Sequence, residues 1–435
     1  MSSGLSILRC IACARSYDTH EVRYRCDCGE LLEVVHDLER LRHAHPELRA
    51  RFDERVGTRA WPYVSGVWRY HELILPELPI EQVVSKPEGN TNLYRTPKLS
   101  RAFATERLYL KHEGENPTLS FKDRGMTAGV SWAHHLGRPV VACASTGDTS
   151  AAMAAYAAQV EGMRGVVFLP ANKVSPEQLS QAISYGATTL AVDTDFDGCM
   201  RLVQKICERH PVYLLNSMNS FRIEGQKSIG IEAIQQLGWQ VPDWFVIPVG
   251  NAGNISALGK GLREAHALGI IDRLPRIAGI QAAAADPFYR SYQKDFSEMV
   301  TVTAQPTLAS AIRIGAPVSH HKAKKVVREF DGVVEEVSEQ ELMDAKALAD
   351  RAGIAVCPNS GVALAGLRTL RAQKIIDDGQ SVVVILTAHG AKFSQVGVDF
   401  HTDRLAGLTP SQPNPIVEVA ADLGAIEGAL GLAVS

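Results

Sequence analysis

From about Lys111 onward the chain alternates short apolar runs, rich in β-branched residues, with stretches of helical spacing. Residues 139–144, 165–170, 188–192, 212–215, 244–249, 276–280 and 381–386 read as strands, and 149–160, 176–185, 199–208 and 223–237 as helices. The strands are continuously apolar instead of alternating, and helices separate them. That combination predicts an α/β fold whose parallel sheets are covered on both faces. Residues 37 to about 85 read as mostly helical and charged, before Pro76, Pro79 and Pro87 mark an irregular connection. After Gln412-Pro413-Asn414-Pro415 one more short helix is expected near 422–430, weakened by Gly424 and Gly428.

Composition bounds the picture without redirecting it. The 435 residues suffice for two or three domains with sizeable cores, and 46% hydrophobic with 21% charged residues is ordinary for a globular chain. A net charge of −3 gives no electrostatic reason to expect nucleic acid or an anionic membrane as partner. No apolar run approaches the ~20 residues that span a bilayer. The start, Met1 to Cys10, lacks the basic and long apolar regions of a secretory signal. Of eight cysteines, four cluster near the N-terminus, while Cys143, Cys199, Cys207 and Cys357 are scattered through apolar segments. That usage suits a reducing cytoplasm. Internal repeats and low-complexity segments are absent from the sequence.

The chemistry concentrates at predicted strand ends, where open parallel sheets bind ligands. Asn116-Pro117-Thr118-Leu119-Ser120-Phe121-Lys122-Asp123-Arg124-Gly125 sets one lysine in a polar turn. Ser145-Thr146-Gly147-Asp148-Thr149-Ser150 opens an alanine-rich helix, so that its amides and hydroxyls make an anion site suited to a carboxylate. An N-cap turn would explain the serine and threonine but not the whole hexad. Gly250-Asn251-Ala252-Gly253-Asn254 lets backbone N–H groups approach a phosphate. It is neither the triphosphate loop nor the dinucleotide fingerprint, and its simplest alternative is a tight strand-to-helix turn. Thr387-Ala388-His389-Gly390 ends another strand and is open to the same plain reading. A lysine amine together with a phosphate cradle is what an enzyme needs to hold pyridoxal phosphate as a Schiff base.

These four motifs, in this order, resemble the pyridoxal-phosphate enzymes of the tryptophan-synthase-β type (fold type II). Residues 216–227, 308–315 and 332–337 resemble, more narrowly, the threonine synthases in their longer, plant-like form. The resemblance runs from about Gly89 to the C-terminus. It implies two open α/β domains with parallel sheets, over 89–435, with a smaller mobile subdomain at about 136–235. A helical extension would occupy 37–88 and a small Cys-rich ribbon 1–36. Lys122 would form the Schiff base and then shuttle protons. Asp148 would lie beside the cofactor's O3′, Gly250, Asn251, Ala252, Gly253 and Asn254 would cradle its phosphate, and the Thr387 hydroxyl would face its pyridine nitrogen. Ser145, Thr146, Thr149, Asn216, Ser217 and Arg222 would hold the substrate, chiefly its phosphate, for which a guanidinium is apt. The implied reaction turns O-phosphohomoserine and water into threonine and phosphate. A threonine at the pyridine nitrogen cannot protonate it, which weakens the ring as an electron sink. A carboxylate at O3′ can only accept unless protonated; a proton shared between Asp148, O3′ and the imine is therefore expected. The family also implies a homodimer. Two readings stay open beside it. One is a β-replacing or deaminating relative, such as threonine dehydratase, cysteine synthase or cysteate synthase, of which those that take unphosphorylated substrates would not need Arg222. The other is a zinc-ribbon binding protein whose catalytic domain has lost activity.

At the N-terminus, Cys10-x-x-Cys13 and Cys26-x-Cys28 are separated by twelve residues. The first pair has the spacing of a zinc knuckle, and the second is tighter than usual. Four thiolates in a reducing compartment can close a tetrahedral structural zinc site, with 31–35 as a flanking strand; a degenerate ribbon without metal is the alternative. No cluster of histidines accompanies it, so catalytic zinc is not expected.

Overall fold

The computed structural model describes residues 4–145, 147–171 and 176–432. A six-stranded sheet runs, in spatial order, through Val333–Val337, Arg276–Ala282, Trp244–Pro248, Ser381–Leu386, Arg107–His112 and Leu93–Tyr94. All its pairings are parallel except that of the edge strand Leu93–Tyr94. Trp244–Pro248 and Ser381–Leu386 are buried along their whole length, as strands covered on both faces must be. A second sheet of four parallel strands orders Thr188–Val192, Arg164–Pro170, Val140–Ala144 and Val212–Leu214.

Strand order fixes where ligands can sit. In the larger sheet the chain leaves Trp244–Pro248 toward one edge and returns on its other side as Ser381–Leu386. In the smaller sheet it leaves Val140–Ala144 and returns as Val212–Leu214. Each is a topological switch point, where the connections diverge and open a crevice at the carboxyl ends. The loops at those ends are 249–254 and 387–390 in one sheet, and 145–147 and 215–219 in the other. All four carry sequence motifs.

Several strands escaped the sequence pattern, among them two long ones of the large sheet. Arg107–His112 contains Lys111, which is wholly buried, and Val333–Val337 contains Glu335 and Glu336. The helix expected over 223–237 is two, Ser220–Gln226 and Ser228–Gln236, joined at Lys227. There the backbone of a crossing helix comes so near that a Cβ on Gly261 would lie 2.4 Å from the Lys227 carbonyl oxygen. The segment 37–88 is α-helical only at Leu38–Ala44, Leu48–Glu54 and His71–Ile74, with single 3-10 turns at Trp68–Tyr70 and Ile80–Gln82. Its order comes from burial of Trp68, Tyr70, Leu73 and Ile74, with Trp68 Nε1 donating to Thr127 Oγ1 at 2.7 Å. The N-terminal ribbon is a three-stranded antiparallel sheet of Ser16–Tyr17, Ser6–Cys10 and Leu32–His36. Near the C-terminus the helix Leu423–Leu430 forms, with the Asp422 side chain accepting from the Ala425 amide.

Candidate active site

Lys122 is the first residue of the helix Lys122–His135. The turn before it is stitched to the end of the large sheet. Phe121 N donates to Thr387 O at 3.0 Å, and His389 N to Leu119 O at 3.0 Å. Thr118 donates through its amide and hydroxyl to Asp123 at 3.0 and 2.9 Å, closing the turn from within. Burial pushes Lys122 down to about 7, helped by the Arg222 cation and opposed by Asp148. Its Nζ packs 3.9 Å from the centre of the Phe121 ring, and no described residue accepts a hydrogen bond from it.

The loop 250–254 leaves Trp244–Pro248 and enters the helix Gly253–Ala267. Ala252, at its N-cap, has φ 61°, a left-handed conformation that turns the amides of the first helical turn outward. At Gly250 a Cβ would lie 2.9 Å from Ile312 Cα, so packing demands a glycine there. At Gly253 a Cβ would meet only Ile223 Cδ1 at 3.9 Å and Ser319 Oγ at 4.0 Å, so packing does not. Both polar atoms of the buried Asn254 amide lack a partner among the described residues. Asn251 anchors the loop instead, its carbonyl accepting from Ser319 N at 3.0 Å.

On the small sheet, Asn216, just past the edge strand Val212–Leu214, ties that strand's end to Val140–Ala144, accepting from Ala144 N at 2.9 Å and donating to Ala144 O at 2.8 Å. Ser145 therefore starts beside Asn216, and Gly147 N reaches back to Ser145 Oγ at 3.3 Å. Thr149 and Ser217 are half-buried at these two strand ends. Thr146 lies outside the described residues. Arg222, on Ser220–Gln226, donates through Nη1 to Leu215 O at 3.1 Å, while its Nε has no partner. Burial pushes this guanidinium down to about 10.

Three contributors were missed by the sequence reading. Lys392 Nζ pairs with Asp148 Oδ1 at 2.7 Å and donates to Thr118 O at 3.1 Å, joining the two sheets' motifs. This countercharge was not foreseen for Asp148. The only signal was a lysine five residues after Thr387. Ser360 Oγ accepts from Thr387 N at 2.9 Å, fixing the threonine against the helix Pro358–Ala372. Arg124, two residues beyond Lys122, donates to Glu113 at 2.6 and 2.8 Å and to Glu232 at 2.7 Å, and so locks the start of the lysine's helix. Away from this crevice, the ligand atoms of Cys10, Cys13, Cys26 and Cys28 all lie within 4.8 Å of one another.

The donor set fits pyridoxal phosphate. A lysine held near neutrality can condense with an aldehyde. Helix-start amides, the spare glycine at 253 and the orphaned Asn254 amide suit a phosphate. Comparisons agree. A family profile described as pyridoxal-phosphate dependent enzyme matches residues 84–388. The chain is 46% identical to threonine synthase 2, chloroplastic, of Arabidopsis thaliana over 419 residues, 94% of this chain and 81% of that one. It is 44% identical to threonine synthase of Methanocaldococcus jannaschii over 385 residues, 88% of this chain and 92% of the relative. Among solved structures, threonine synthase from Escherichia coli superposes with a TM-score of 0.67 at 20% identity, covering 98% of this chain and 99% of that one. The processed form of threonine deaminase isoform 2 from Solanum lycopersicum gives 0.61 at 20% identity, over 76% and 86%. The two last likenesses speak for the fold. The chain belongs to the threonine synthase family of pyridoxal-phosphate dependent enzymes.

Proposed function

We propose that the chain converts O-phospho-L-homoserine and water into L-threonine and phosphate, with Lys122 as proton carrier and Arg222 as anchor of the substrate phosphate. The observation that carries this reading is the unbalanced charge of Arg222. Its guanidinium is buried, one nitrogen is unpartnered, and no carboxylate lies within ion-pair distance among the described residues. A buried cation without a counter-ion is costly, and a dianionic ligand group removes that cost. Relatives that deaminate unphosphorylated amino acids have no such group to offer.

Pyridoxal phosphate, when bound, supplies an electron sink for carbanion chemistry at the substrate α-carbon. Lys122, Asp148, Thr387 and the loop 250–254 would hold it. With its amine near neutrality, Lys122 can take the proton from the substrate Cα and then one from Cβ. Departure of the γ-phosphate follows; Cγ is protonated to a methyl group, water adds its oxygen at Cβ, and a proton returns to Cα. Ser145, Thr149, Asn216, Ser217 and Arg222 would orient the phosphate, with Thr146 beside them in sequence. Lys392 pairs with Asp148 and holds it in place. Closure of the part at about 136–235 over the crevice would keep bulk water from early steps. Assembly as a homodimer in the cytoplasm belongs to the same proposal and is read by sedimentation and by fractionation.

An absorption spectrum followed by addition of O-phosphohomoserine tests the reading. A visible cofactor band abolished by borohydride, with phosphate and threonine released in equal amounts, is expected. A band without phosphate release would move the chain to a deaminating or β-replacing activity.

A further inference from the structure

The ribbon is too small to hold itself together. Its strands count only five, two and five residues. Such modules need a staple. Cys10 closes the strand Ser6–Cys10, and its Sγ accepts from the amides of Ala12 at 3.4 Å and Cys13 at 3.5 Å. Across the gap, Cys10 Sγ and Cys28 Sγ lie 3.5 Å apart, as do Cys13 Sγ and Cys26 Sγ. These separations are too long for a disulfide and near the ~3.8 Å between sulfurs of a tetrahedral zinc thiolate site. The other cluster of potential ligands, His36, Glu224 and Glu264, is filled by Lys227 and Lys260 and is an ion-pair network.

The ribbon docks on one stretch of the catalytic body. Leu214 N donates to Tyr24 OH at 2.7 Å, and Ser220 Oγ to Leu32 O at 2.7 Å. His36 Nε2 meets Glu224 Oε2 at 3.0 Å. Leu31 packs in one apolar cluster with Leu214 and Met218. These contacts bracket Asn216, Ser217 and Arg222. We propose that Cys10, Cys13, Cys26 and Cys28 bind one zinc ion as a closed tetrathiolate site, and that the metal-fixed ribbon braces 214–224 to receive the substrate phosphate. The second half rests on the role given to Arg222 above.

Zinc is counted in the purified, cofactor-loaded enzyme by plasma emission, then removed with a strong chelator under reducing conditions and restored. About one zinc per chain is expected. Its removal raises KM for O-phosphohomoserine roughly 10-fold with kcat and the visible band unchanged, the mark of lost ground-state binding, and added zinc reverses the change. Tyr24→Phe, with all four cysteines intact, keeps its zinc and raises KM roughly 3-fold, because the Leu214 amide loses its acceptor. Protein that holds no zinc as purified and takes up none overturns the site. Zinc that can be removed without moving KM, or an unaltered KM in Tyr24→Phe, overturns the brace. If the intact enzyme released no phosphate, the proposed function would fail while the zinc count still decided the site.

Discussion

Arg124 and Arg222 are both buried, and both stand near the start of helices that meet at the active crevice, yet their surroundings differ completely. Arg124 gives its nitrogens to Glu113 and Glu232, and Lys111 reaches the same Glu232 at 2.5 Å. Arg124 and Lys111, with Arg69 at 4.0 Å from Glu232, thus face two carboxylates, and Glu232 is held far below the usual carboxylate range despite its burial. Arg222 has, among the described residues, a backbone carbonyl and no carboxylate. Balanced buried charge is scaffold, because every desolvated group is compensated inside the protein. Unbalanced buried charge marks a place where the compensation has to arrive with a ligand.

The sharpest break of this comparison is at Arg124. Arg124→Met leaves Glu113 and Glu232 with Lys111 and the more distant Arg69, 4.0 Å from Glu232, and should lower unfolding stability by about 3–5 kcal/mol. Denaturant titration of the cofactor-free protein measures it; a loss under ~1 kcal/mol would mean that the network is not the scaffold it looks like. Arg222→Met should do the opposite of Arg124→Met for folding, since it deletes an uncompensated charge. Stability should hold or rise, while KM for O-phosphohomoserine rises roughly 30-fold, about 2 kcal/mol. A destabilised Arg222→Met with normal KM would erase the distinction.

How much of this was legible beforehand follows from the length scale of each signal. The switch-point loops could be read because a strand end and its motif are contiguous: 140–144 runs into Ser145, 244–248 into Gly250, 381–386 into Thr387. Arg222 and Lys122 were likewise placed by local motifs. The Arg124 network was not legible, because its partners come from 11 and 108 residues away and only folding assembles them. Lys111 hid its own strand for the same reason, since a charge inside an apolar run is understood only when its distant carboxylate is seen. The 37–88 segment was misread as mostly helical because its order depends on aromatic side chains docked on the body, for which periodicity carries no signal.

The unbalanced site also has a pH signature. Lys122 is lowered to about 7 in the fold, against about 10.4 for a free lysine. Between those values the unfolded chain binds the proton and the folded chain does not, so this residue makes stability rise with pH, by up to about 1.4 kcal/mol per unit. Below pH 7 both states are protonated and the penalty is full. Lys122→Met removes it, so the variant's gain over the cofactor-free wild type should be largest below pH 7 and fade toward pH 10. A gain independent of pH would show that the lysine is not desolvated in the way the crevice implies.

Lys392 provides the finest test, since it acts on Lys122 and has a carboxylate of its own in Asp148. It lowers the Lys122 value directly, and by pairing with Asp148 it also spends a charge that would otherwise stabilise the Lys122 ammonium. Lys392→Met removes both effects, which act in the same direction, and the Lys122 value should rise. Capture of pyridoxal phosphate by the cofactor-free protein needs the neutral amine, so its rate should climb with pH through a midpoint displaced upward. A midpoint that stays in place or falls would mean that Asp148 and Lys392 cancel as seen from Lys122. The charge imbalance of the crevice would then reside in Arg222 alone.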